Sequence, residues 1–62
     1  MELKDVKVGC WYSACCELDA TQIKSECELK LFILDYNEYV EEDLNPPDIF
    51  KTKEDLINYF KQ

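Results

Sequence analysis

Fourteen acidic side chains against seven lysines, with no arginine and no histidine, give this 62-residue chain a formal charge of −7. Nucleic acid and anionic membranes present phosphates whose counterions only Lys and Arg displace, so neither is an expected target, and a basic protein surface is the natural complement. A domain this short buries only about 60% of the surface its unfolded chain exposes, and its core rarely supplies more than roughly 3 to 5 kcal/mol unless a disulfide, a metal or a partner chain adds to it. With 47% apolar residues, one glycine and two prolines it still reads as a single folded domain over residues 1–62.

The start, Met1 to Asp5, is charged with no apolar run behind it, which predicts neither a signal peptide nor a membrane span and puts the protein in the cytoplasm. From Val6 to Leu18 the pattern alternates, with Val6, Val8, Cys10, Tyr12, Ala14, Cys16 and Leu18 on one side and Lys7, Gly9, Trp11, Ser13, Cys15 and Glu17 on the other. That period of two predicts a strand with one buried face. A second run repeats it, with Ile23, Ser25, Cys27, Leu29, Leu31 and Ile33 against Lys24, Glu26, Glu28, Lys30, Phe32 and Leu34, so the two read as a long antiparallel hairpin over about residues 6–35. Asp19 to Gln22 lacks the Asn-Gly or Gly-Gly pair of the tight primed turns; a loop of about three to five residues is expected and the register stays open. In one register Cys16 lies nearly opposite Cys27, close enough for a cross-strand disulfide in an oxidising setting. In a reducing compartment the cysteines serve instead as small buried apolar side chains.

The acid-rich segment 36–48 comes next and ends at Asn45-Pro46-Pro47. Tyr36 to Glu41 reads either as a third strand or as a short helix, and the prolines hold the chain extended beyond it. A C-terminal helix is predicted over about residues 52–61. Thr52 caps it, Asp55 sits three residues on, Glu54 and Lys61 match the dipole, and Leu56, Ile57 and Phe60 form its apolar stripe. The expected class is α+β: a small antiparallel sheet of two or three strands, built on the N-terminal hairpin and packed by one C-terminal helix. On the hairpin's outer face Trp11, Phe32 and Leu34 accompany Cys15 where polar residues would meet solvent. Either the acidic segment covers them or they mark a contact site.

No catalytic constellation is legible. There is no histidine to act as a general base, no partner that would activate a cysteine, and no Gly-rich phosphate loop, because the sole glycine is Gly9. The chain is therefore not expected to be an enzyme. The four cysteines, Cys10, Cys15, Cys16 and Cys27, lack the paired spacing of zinc ribbons, and the adjacent Cys15 and Cys16 would point to opposite faces of a strand. Asp35-Tyr36-Asn37 begins like a calcium loop, but Val40 and Pro46 stand where such a loop needs Gly and Glu. No metal or cofactor is expected.

Lys7-Val8-Gly9, Tyr12-Ser13-Ala14, Asp19, Phe32-Ile33-Leu34-Asp35-Tyr36 and Glu41-Glu42-Asp43-Leu44 succeed one another in an order that resembles the landmarks of Tudor domains, over about two thirds of the chain. The resemblance implies a small barrel that holds methylated Arg or Lys in an aromatic cage. Of the cage positions Tyr36 carries over, with Tyr39 as a neighbour. The pattern departs where a glycine should come after Asp35-Tyr36, where the middle hairpin is short, and where Cys16 and Ile23 replace aromatics. Phe50 to Ile57 is similar to a strand-to-helix junction of methyl-CpG-binding domains, with the opposite charge sign.

Between Leu31 and Phe50 six carboxylates, Asp35, Glu38, Glu41, Glu42, Asp43 and Asp48, occur without a single basic residue. This predicts a small acidic, non-enzymatic protein-binding module. Its expected partner-binding residues are Asp35, Tyr36, Glu38, Tyr39, Glu41, Glu42 and Asp43, with Trp11 and Phe32 from the apolar face. The expected partner is a basic protein surface. Where that surface normally binds nucleic acid, the carboxylates stand in for phosphates and the module acts as an inhibitor or DNA mimic. Small size and lysine without arginine are compatible with a phage or mobile-element gene. A Tudor-like or SH3-like barrel and a hydrophobic-patch homodimer are the alternatives.

Overall fold

Ser25 opens the longest element of the chain, and its position decides the fold. In a computed structural model, which describes residues 2–61, the chain forms strands β1 (Trp11–Ser13), β2 (Thr21–Gln22) and β3 (Asp48–Phe50) and helices α1 (Glu26–Glu41) and α2 (Lys53–Phe60). Two single 3-10 turns, Leu3–Asp5 and Glu17–Asp19, complete it. The class is α+β, with an open antiparallel sheet in the order β2-β1-β3. Trp11 is paired with Gln22 on one side and Phe50 on the other.

The run from Ile23 to Leu34, expected as the second strand of a long hairpin, is instead mostly helix. Ser25 accepts a hydrogen bond from the Glu28 N–H at 3.2 Å, and the Glu28 carboxylate accepts one from the Lys24 N–H at 2.6 Å, a variant of the capping box. Leu29, Phe32, Ile33 and Tyr36 then recur at helical spacing and turn one face inward. Their stripe competes with the alternation, and capping together with good helix formers such as Glu, Leu and Lys settles the contest. The segment Tyr36 to Glu41 continues this helix, and the third strand lies further on, at Asp48–Phe50. The C-terminal helix is where its cap places it, with Thr52 Oγ1 accepting from the Asp55 N–H at 3.1 Å.

The first run holds a shorter strand than its alternation predicts. The Gly9 N–H donates to the Ile23 carbonyl at 2.7 Å and the Ile23 N–H to the Cys10 carbonyl at 2.9 Å, so two residues face one across the ladder. This is a β-bulge of the glycine type, and Gly9 supplies the φ of +103° that it needs.

Each face of the sheet carries one helix. Tyr12 and Ile49 are cross-strand partners and share a face; the Phe32 ring of α1 lies 4.6 Å from that of Tyr12. Trp11 and Phe50 share the other face, where Phe50 meets Tyr59 at 5.3 Å and Phe60 at 6.1 Å, and Lys53 Nζ of α2 lies 5.4 Å from the Trp11 ring. Val6, Cys10, Ile23, Phe32 and Ile49 form the buried cluster, with Leu3, Tyr12, Leu29 and Tyr36 against it. Leu56 of α2 is fully buried.

Several expectations fall with the hairpin. Trp11 and Phe32 do not share an exposed apolar face, since Phe32 is core and Trp11 belongs to the α2 side. The strand pairing that would set Cys16 opposite Cys27 is absent, and all four cysteines are free thiols. The sheet is open and not a Tudor-like or SH3-like barrel, and Tyr36 and Tyr39 lie on a helix, so the cage that the resemblance implies does not form. Among the described residues no helix is long and apolar enough to cross a membrane.

A Cβ at Gly9 would meet no atom within 4 Å, so the cost of Gly9→Ala is one of backbone conformation alone. Chemical unfolding should place that variant about 1 to 2 kcal/mol below the parent.

Candidate functional site

α1 packs on the buried cluster along Leu29, Phe32 and Tyr36, and its other flanks meet solvent. Four residues at i, i+3, i+4 and i+7, namely Asp35, Glu38, Tyr39 and Glu42, line a shallow groove of about 230 Å³. All four are exposed. Asp35 also borders a neighbouring hollow with Glu28, Leu31 and Thr21, so the acidic flank runs on toward β2. Leu31 and Leu34, 57% and 65% exposed, lie along the same flank, where the helical repeat places them beside the carboxylates.

Of the expected partner-binding residues, then, the helix gathers Asp35, Glu38 and Tyr39, and its C-cap residue Glu42 joins them. Glu41 is exposed but falls half a turn away from Phe32, on the far side of α1, and Asp43 lies beyond the helix end. Tyr36 is half-buried with its ring 6.0 Å from Phe32. Phe32 is buried at 6% exposure and cannot serve as a contact surface. Leu31 is not among the expected site residues; a helical wheel in place of a strand alternation would set it there.

The electrostatics of this flank oppose the helix that bears it. No basic residue occupies the last turn of α1, while Glu41, Glu42 and Asp43 crowd the negative end of its dipole. Acids there are destabilising by about 0.3 to 1 kcal/mol each at low salt, and like charges four apart, as Glu38 and Glu42 are, add about 0.2 to 0.5 kcal/mol. The helix ends in a Schellman pair, Leu44 N–H to the Tyr39 carbonyl at 2.8 Å and Asp43 N–H to the Val40 carbonyl at 3.2 Å. Asp43 takes the left-handed position, φ 58°, that glycine usually fills. Among the described residues the one ion pair is Lys4 with Glu2 at 3.3 Å, remote in sequence from these acids.

A second cluster lies in the turn between β1 and β2. Ser13 is buried; its hydroxyl donates to the Cys16 carbonyl at 2.5 Å and accepts from the Cys16 N–H at 3.3 Å. The Asp19 N–H closes the next turn onto the Cys16 carbonyl at 3.2 Å. These bonds bring the Cys15 and Cys16 sulfurs to 3.8 Å and set the Cys15 thiol 2.6 Å from an Asp19 carboxylate oxygen. Adjacent cysteines point apart only where a strand runs through them, and β1 stops at Ser13.

The thiol hydrogen bond to Asp19, reinforced by Cys16, pushes Cys15 up from 9.0 to about 11. The thiolate is the nucleophile. At the ordinary thiol value of 9.0 Cys15 should therefore alkylate slowly, reacting fast only as pH nears about 11, and Asp19→Asn should accelerate it, as peptide mapping after iodoacetamide would reveal.

The chain matches no family model, no curated protein and no solved structure.

Proposed function

We propose that this chain is a non-enzymatic protein-binding module that engages a basic protein surface through the α1 flank of Asp35, Glu38, Tyr39 and Glu42. One observation carries the reading: three carboxylates share a groove with no lysine beside them, on a helix whose C-terminal end already carries acids against its own dipole. Local rules broken together in one place, without compensation inside the chain, are expected at functional sites. A cationic surface would supply the compensation.

The chemistry favours a Lys- and Arg-rich occupant with some apolar content. Carboxylates give long-range steering and bidentate acceptors for arginine, Tyr39 adds an exposed aromatic face, and Leu31 and Leu34 add apolar area at the rim. A second copy of the chain fits poorly, because antiparallel pairing of two α1 helices through this flank sets acid against acid. Where the partner's cationic surface is one that normally holds nucleic acid, occupation by these carboxylates would make the module an inhibitor.

The variant Asp35→Lys, Glu38→Lys, Glu42→Lys tests this against a control of equal charge change placed elsewhere, Glu2→Lys, Asp5→Lys, Glu17→Lys. In capture from lysate at low salt, a partner held by the parent and the control should be lost by the α1 variant and eluted from the parent at high salt. The α1 variant should also melt higher than the parent, because it relieves repulsion. A partner that the α1 variant retains, or that both variants lose equally, contradicts the assignment.

A further inference from the structure

We infer that the β1–β2 turn is a binding site for one thiophilic divalent cation of the zinc class, held by Cys15 Sγ, Cys16 Sγ and the Asp19 carboxylate. The three donor atoms lie within 4.8 Å of one another. Two thiolates on one tetrahedral zinc, each at about 2.3 Å, sit about 3.8 Å apart, and the two sulfurs here are 3.8 Å apart. The Cys15–Asp19 contact of 2.6 Å is a hydrogen bond with the proton where the ion would go. Replacing that proton opens the sulfur–oxygen distance to about 3.6 Å, a side-chain adjustment at an exposed position.

The turn is built to hold this arrangement. Ser13, 1% exposed, fixes the backbone of Cys16 from both its N–H and its carbonyl, and the 3-10 turn Glu17–Asp19 returns the carboxylate to the sulfurs. Two soft sulfur donors select against calcium and magnesium. Three protein donors leave the fourth tetrahedral position to water or to a donor from another molecule, the pattern of an open site and not of a closed structural one. Binding involves no redox change: the two thiol protons pass to buffer as the two metal–sulfur bonds form.

Cys27, exposed at the start of α1, is an internal control. With the full chain under a thiol-free reductant, one equivalent of zinc should slow iodoacetamide labelling of Cys15 and Cys16 by about tenfold or more, since the coordinated thiolate is no longer the free nucleophile, and leave Cys27 unchanged. Asp19→Asn should weaken that protection, read as the zinc concentration needed, by at least about tenfold. Protection of Cys27 equal to that of Cys15 and Cys16, or no protection of any, overturns the site. Full protection at unchanged zinc concentration in Asp19→Asn overturns the three-donor assignment.

Discussion

The contact between Phe32 and Tyr12, ring centroids 4.6 Å apart, is where the longest helix meets the sheet. A helix of 16 residues is about 24 Å long, yet its buried seam from Leu29 to Tyr36 spans only about 10 Å of it. The turns beyond Tyr36 have little to pack against. Tyr39, Val40 and Leu44 stay 42%, 57% and 50% exposed, and the Schellman pair is what ends the helix in order. Removing Phe32 would thus cost the several kcal/mol typical of a buried aromatic, an effect on folding and not on recognition.

That seam fixes which flank of α1 faces outward. Once Leu29, Phe32 and Tyr36 point inward, Asp35, Glu38 and Glu42 are turned to solvent together with Tyr39. The dipole and the mutual repulsion of the acids then act on the part of the helix least supported by packing. Three features that would be unrelated in the sequence share one address: a thinly packed helix end, an aspartate at a position suited to glycine, and a carboxylate groove.

Legibility in the sequence tracked local chemistry. α2 is readable because Thr52, Asp55 and the Leu56, Ile57, Phe60 stripe all point the same way. α1 is hidden because residues 23–34 satisfy two periods at once; the tie-breaker, Ser25 with Glu28 three residues on, is a capping signature that a strand reading passes over. The α+β class survives because strand signal in the first run and helix signal in the last do not depend on residues 23–34. The acidic composition of the site is plain, but its grouping is not: only a helical repeat separates Glu42, which lines the groove, from Glu41, which does not. The Cys15, Cys16 and Asp19 cluster is illegible for a like reason, since it depends on β1 stopping at Ser13, whose hydroxyl bonds the Cys16 backbone and holds the turn that follows.

The acids along the outer flank and C-terminal end of α1 work against the helix in the free protein. Amide hydrogen exchange across α1 at low and at high ionic strength tests this most directly. Added salt should screen the repulsion and raise the protection of the amides from Tyr36 to Glu42, while that of α2 changes little. Exchange in α1 that is indifferent to salt, or that quickens with it, would mean that the acids do not strain the helix.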